Sequence, residues 1–195
     1  MTWFQRHIRP EQVRELILLL LIVVAVLIFG SLIDGYYSNR TFNRIASGVA
    51  IITVIAVGQT MVVLTRSIDL SVGSIVGCTA FTVGLALAFH HGLSPLLAVA
   101  MAVLMGTMMG AINGAIIAWG RVPPIIVTLG TLAIYRGILV ESFGGYVITT
   151  DKLPDWLVDL PTLTVFTIGG LEIRAMVALA FAVVIVMHLA TGGKP

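Results

Sequence analysis

Ile68-Asp69-Leu70-Ser71-Val72-Gly73-Ser74, with Arg66 just before it, is the stretch on which the reading of this chain turns. It is a charged, glycine-bearing break between two apolar runs, Ile45 to Leu64 and Leu70 to Phe89. Each run has about the 20 residues that a helix needs to cross roughly 30 Å of hydrocarbon, so the break belongs at a membrane surface between two spans. Asp69 is expected to cap the helix that follows, because its carboxylate can accept from the N–H groups of Ser71 or Val72 and complements the positive helix end. Gly73 opens a series of small residues on that helix, continued by Gly77, Ala80, Gly84 and Ala88.

Composition supports a bilayer as solvent. Of 195 residues, 58% are hydrophobic and 10% charged, and the mean hydropathy is +1.08. That leaves too little polar side chain to coat a water-soluble globule. The net charge of +2 arises from 11 Lys and Arg against 9 Asp and Glu, with no basic stripe to neutralise a phosphate backbone, so nucleic acid is not an expected partner. The single cysteine, Cys78, lies within an apolar run and cannot form an intrachain disulfide. It is read as a small helix-packing residue.

Outward from the break, the run Leu16 to Ile33 follows a polar tail carrying Arg6, Arg9 and Arg14. It is longer than the roughly 7 to 15 residues of a signal-peptide core, so it is expected to be an uncleaved first span with its tail in the cytoplasm and Tyr36 and Tyr37 at the far interface. Ile45 to Leu64 is the second span and Ser71 to Phe89 the third; His90 to Pro95 turns the chain into a fourth, Leu96 to Trp119. In the fourth run Ala98, Ala102, Gly106, Gly110, Gly114 and Ala118 recur every four residues, a ridge that another backbone could approach closely. Gly77, Gly84, Gly106, Gly110 and Gly114 are accordingly expected to pack the third and fourth helices into a bundle. Pro123-Pro124 suits the first turn of a fifth helix, whose leading N–H groups lack intrahelical partners.

Glu141 to Arg174 is a polar loop with Glu141, Asp151, Asp155, Asp159 and Glu172 against Lys152 and Arg174. Within it Leu153, Trp156, Leu157 and Leu160 fall on one helical face, as in a short amphipathic helix on the membrane surface, with a plain loop as the alternative. A sixth run, Ala175 to Ala190, precedes Lys194. The expected fold is an all-α polytopic membrane protein of about six transmembrane helices, forming one membrane domain over residues 1–195 with a loop at 141–174 on the outer side. Lys and Arg number six on the tail side of these spans and five on the other, which does not settle orientation.

No phosphate loop, His-Glu-x-x-His motif or Gly-x-Ser-x-Gly elbow occurs. His90 and His91 are adjacent while His7 and His188 are remote, a spacing unlike a metal site. No catalytic, cofactor or metal residue is therefore assigned, and the chain is not expected to be an enzyme. Polar groups within apolar runs carry the remaining signal, because they usually face a bundle interior or a water-filled path. Gln59, Asn113 and Thr131 are the candidate path-lining residues, with interhelical hydrogen bonding as the alternative role of Gln59 and Asn113. Arg136 either belongs to this set or snorkels to the surface.

The break, then Asn113-Gly114, then Val122-Pro123-Pro124-Ile125-Ile126-Val127-Thr128-Leu129-Gly130-Thr131 and Arg136-Gly137 together resemble the permease subunits of ribose-type bacterial ABC sugar importers. Relatives of that kind serve ribose, xylose, arabinose, rhamnose and autoinducer-2 systems. Asp69, Ser71, Gly73, Pro123, Pro124, Thr128, Gly130, Arg136 and Gly137 carry the motif. The resemblance covers about Gly58 to Gly137 and implies the N-terminal part of a permease in the bacterial inner membrane. It further implies a second permease subunit in a homo- or heterodimer, a cytoplasmic ABC ATPase and a periplasmic sugar-binding protein, which the acidic loop at 141–174 could meet. The cargo implied is a monosaccharide of pentose or deoxyhexose type. A secondary transporter or channel, and an inactive fragment acting as a membrane scaffold, are the alternative readings.

Overall fold

The structure is a computed structural model that describes residues 10–144, 146–168 and 171–192. Arg6, Arg9 and Lys194, which enter the charge comparison above, lie outside the described residues. Among the described residues seven α-helices run in chain order: α1 (Pro10–Leu32), α2 (Asn39–Leu64), α3 (Val72–Phe89), α4 (Pro95–Gly120), α5 (Pro124–Phe143), α6 (Asp155–Asp159) and α7 (Ala175–Ala190). A 3₁₀ turn, Thr150–Lys152, precedes α6, and a β-hairpin of β1 (Thr164–Ile168) and β2 (Leu171–Arg174) precedes α7. Helices α1 to α5 are each long and apolar enough to cross a membrane. With its 16 residues, α7 is shorter, rising about 24 Å at 1.5 Å per residue. Among the described residues there are thus five candidate spans, against about six expected, and the fold is that of an all-α polytopic membrane protein.

Two compact units divide between Ala46 and Ser47. In the first, apolar side chains of α1 such as Leu19, Leu20 and Ile22 are exposed, the pattern of a helix whose solvent is lipid. The Tyr37 ring folds back over the end of α1, where its hydroxyl donates to the Val26 carbonyl at 3.2 Å. Gly30 makes room for it: a Cβ there would overlap the Tyr37 ring.

In the second unit α3 packs against α4 and α5, and α4 against α5. Ser94 opens α4, accepting from the Leu97 N–H, with Pro95 in the first turn. Pro124 opens α5, and the Pro123 carbonyl accepts from the N–H groups of Ile126 and Val127. A rigid proline at the start of each helix removes a donor that would have had no intrahelical partner. At the opposite ends, α2 and α4 are each followed by an arginine in left-handed backbone, Arg66 (φ 59°) and Arg121 (φ 54°), where glycine is the usual occupant.

The 141–174 region departs most from expectation. Among its described residues beyond the end of α5, the five residues Asp155–Asp159 form a short α-helix, and Leu153, Trp156, Leu157 and Leu160 together line an apolar groove of about 770 Å³ against α3 and α4. The rest of the region contains the hairpin, antiparallel with Phe166 opposite Ile173 and Thr167 opposite Glu172. Its strands are rich in β-branched and aromatic residues, which favour a pleated surface. The Ala175 N–H donates to the Leu163 carbonyl at 2.9 Å, joining the hairpin to the start of α7.

Candidate functional site

The break between α2 and α3 is a polar knot at which three helices meet one irregular segment. Helix α2 ends with Arg66 N–H donating to the Val63 carbonyl and Ser67 N–H to that of Val62. The chain then runs irregularly to Ser71, the N-cap residue of α3. Asp69 acts from two residues upstream: its Oδ1 accepts from the Ser71 N–H at 2.8 Å and from the Ser71 hydroxyl at 2.6 Å. This is an Asx turn, in which a short side chain satisfies backbone that no helix yet covers. The expected acceptor role of Asp69 toward the Ser71 N–H is therefore present, while the N-cap position itself belongs to Ser71.

Because the Ser71 hydroxyl gives its proton to Asp69, its lone pairs are free to accept, and the Asn113 Nδ2 of α4 donates to it at 2.8 Å. The Gln59 Nε2 of α2 donates to the Asp69 carbonyl at 3.0 Å. The Thr128 hydroxyl of α5 reaches the Ile68 carbonyl at 3.3 Å. Side chains from α2, α4 and α5 thus satisfy backbone or hydroxyl groups of the break, which have no ladder of their own. Ser71 is 0%, Thr128 1% and Asn113 4% exposed. Such a buried network holds a break in one geometry, since each bond is strengthened by the absence of competing water, although the Asn113 Oδ1 has no partner among the described residues.

Of the candidate path-lining residues, Asn113 joins α4 to the cap of α3, Gln59 ties α2 to the break that follows it, and the Thr131 hydroxyl donates within α5 to the Thr128 carbonyl. Val127, Thr128, Thr131 and Tyr135 form the buried face of α5. Two contributors escaped the sequence reading. Tyr135 donates from its hydroxyl to the Met109 carbonyl of α4 at 3.1 Å, and Ser74 donates to the Leu132 carbonyl of α5 at 3.1 Å. A tyrosine with a polar tip inside an apolar run was the available signal for the first; Ser74 offered none. Cys78 donates from its thiol to the Tyr135 carbonyl across the α3–α5 contact, at 3.2 Å, in keeping with a packing role.

The glycines divide. A Cβ on Gly77 would touch Leu139 at 3.6 Å and one on Gly84 would crowd Ile148 at 3.2 Å, so these two lie under neighbouring side chains. At Gly106, Gly110 and Gly114 nothing lies within 4 Å of a Cβ. The ridge is packed unevenly within this chain: Ala98 at its start is buried, as is Asn113 on the same side of α4, while Ala102, Gly106 and Gly110 are half-buried. Gly73, Gly130 and Gly137 likewise have open space beside them. Arg136 is exposed, beside Ser74 in a small pocket between α3 and α5. Among the described residues no group of three or more His, Cys, Asp or Glu side chains could hold a metal ion.

Comparison with known proteins agrees with this architecture. The family described as "Branched-chain amino acid transport system / permease component" matches residues 41–193. The chain belongs to this permease family. The resemblance to ribose-type importer permeases is thereby borne out at the level of family. Similar proteins include the Autoinducer 2 import system permease protein LsrC of Yersinia enterocolitica serotype O:8 / biotype 1B, 41% identical over 123 residues, which are 63% of this chain and 34% of that protein. The proteins of the same name from Yersinia pestis strain Pestoides F and Yersinia pseudotuberculosis serotype O:1b are 40% and 39% identical over the same shares. The match thus spans about a third of the length of these relatives. No solved structure matches the chain. Family membership places the polar knot in a multi-pass transport permease.

Proposed function

We propose that this chain is a permease subunit of an ATP-driven importer that carries a monosaccharide of pentose or deoxyhexose type across the bacterial inner membrane. In this reading it pairs with a second permease subunit, receives cargo from a periplasmic sugar-binding protein and is driven by a cytoplasmic ABC ATPase. Its N-terminus faces the cytoplasm, residues 1–195 act as one membrane domain, and the 141–174 loop faces the periplasm as the contact for the binding protein. The chain holds no cofactor or metal of its own, because ATP is hydrolysed in the partner. The observation that carries the reading is the family match over residues 41–193, and the sugar-like cargo is favoured by the relatives whose names specify autoinducer 2 import.

The family's description favours a second cargo, a branched-chain amino acid. Uptake of labelled ribose, rhamnose and leucine into vesicles bearing the full permease and its partners separates the two. ATP-dependent uptake of a sugar supports the first reading and of leucine the second. Uptake that persists without ATP would replace both with a secondary transporter or channel.

A further inference from the structure

Arg136 is a cation with no partner inside a span. It is the thirteenth residue of the 20-residue helix α5 and stands seven residues, about 10 Å, before its end at Phe143. It makes no hydrogen bond or ion pair among the described residues. A guanidinium at that depth is costly in hydrocarbon and is normally found facing a bundle interior or a water-filled cavity. Beside it lies a pocket of about 260 Å³ lined by Gly73, Ser74, Gly77, Arg136, Leu139 and Val140. Two features of α3 make the pocket. Gly73 and Gly77 withhold side chains, Gly73 having nothing within 4 Å of a Cβ. Ser74 fixes its hydroxyl hydrogen on the Leu132 carbonyl, which turns its oxygen lone pairs outward as acceptors.

The pocket therefore offers a fork of N–H donors and a hydroxyl acceptor between apolar walls, and it is near the roughly 300 Å³ at which small-molecule sites begin. A guanidinium fork matches paired oxygens better than a single point charge does. We propose that Arg136 and Ser74 form a water-facing contact for the oxygen atoms of the transported solute, with Arg136 donating to a pair of neighbouring oxygens and Ser74 accepting from a hydroxyl. The proposal deepens the importer reading and rests on it for the solute class. Asp69 forms no ion pair with the guanidinium among the described residues; its Oδ1 accepts from Ser71.

The test uses the full-length permease assembled with its partners. Arg136→Cys is treated with a membrane-impermeant thiol reagent, with Ile134→Cys as an exposed apolar control on the same helix and the buried Cys78 as an internal one. Arg136→Cys is expected to react at least tenfold faster than Ile134→Cys, and ribose, xylose or rhamnose is expected to slow it. Equal reaction at both positions, or reaction that none of these sugars slows, overturns the proposal. In uptake, Arg136→Gln is expected to raise KM about tenfold with little change in maximal rate, and Arg136→Lys to recover part of the loss; unchanged KM in both variants overturns it. Labelling that a sugar slows, without any ATP-driven uptake of that sugar, would instead refute the importer reading and leave the pocket assignment standing.

Discussion

Replacing Ser71 with alanine probes the knot at its centre. The Ser71 oxygen donates to Asp69 at 2.6 Å and accepts from Asn113 at 2.8 Å, so Ser71→Ala removes one bond to a carboxylate and one between two helices. A hydrogen bond to a charged group contributes about 1.5–3 kcal/mol, and a buried amide left without a partner costs about 1–3 kcal/mol. The Asn113 Oδ1 has no partner already, so after the change the whole amide, 4% exposed, is unpaired. Interhelical bonds in membranes average lower, about 0.6 kcal/mol, because the unfolded chain in lipid also finds partners. Weighing these, Ser71→Ala should destabilise by about 2–3 kcal/mol. Asn113→Ala alone should cost less, and the double variant should cost less than the sum by about 1 kcal/mol, because no orphaned amide remains. Asp69→Asn retains an acceptor oxygen for both Ser71 donors and should cost about 1 kcal/mol. The assay is reversible unfolding in bicelles or mild detergent, with Thr53→Ala as a control that loses only an exposed bond to the Val49 carbonyl. A cost for Ser71→Ala below about 0.5 kcal/mol, or strict additivity with Asn113→Ala, would refute the cooperative clamp.

Two further outcomes follow from local geometry. Arg121 sits at φ 54°, a conformation costing about 1 kcal/mol or more for a residue with a Cβ, so Arg121→Gly should be neutral or stabilising by up to about 1 kcal/mol in the same unfolding assay, while β-branched Arg121→Val should destabilise. The Thr149 hydroxyl, hydrogen-bonded to Asp151, holds that carboxyl below the ordinary range, assisted by the Asp151 backbone N–H and Lys152. A depressed carboxyl stabilises above its unfolded value and loses that contribution as pH falls through the folded one, so the turn at 150–152 should be unchanged from about pH 8 to pH 5 and loosen only below about pH 4. Thr149→Val should raise the Asp151 titration, measured by NMR on selectively labelled protein.

The spans could be read from the residues alone, because each is set by a local property. Apolar length fixes crossing, and Pro123-Pro124 marks a start that the structure places at Pro124, while the fourth helix, read from Leu96, begins one residue earlier at Pro95. The acceptor role of Asp69 was legible for the same reason, its partner being two residues away. What converges on the break, by contrast, depends on packing. Asn113 is 42 residues from Ser71 and Thr128 is 60 from Ile68, and no local periodicity encodes which face of one helix meets which break. The same holds for the ridge at Gly106, Gly110 and Gly114: its spacing shows that a backbone could approach, yet whether one does depends on how α4 is rotated against α3 and α5. The hairpin at 164–174 could have been found from two β-branched runs with Gly169-Gly170 between them in the sequence; the surrounding acids favoured a loop instead. Local chemistry thus specifies the elements and their ends, whereas the polar knot exists only because the folded bundle brings distant donors onto a stretch of backbone that has no partners of its own.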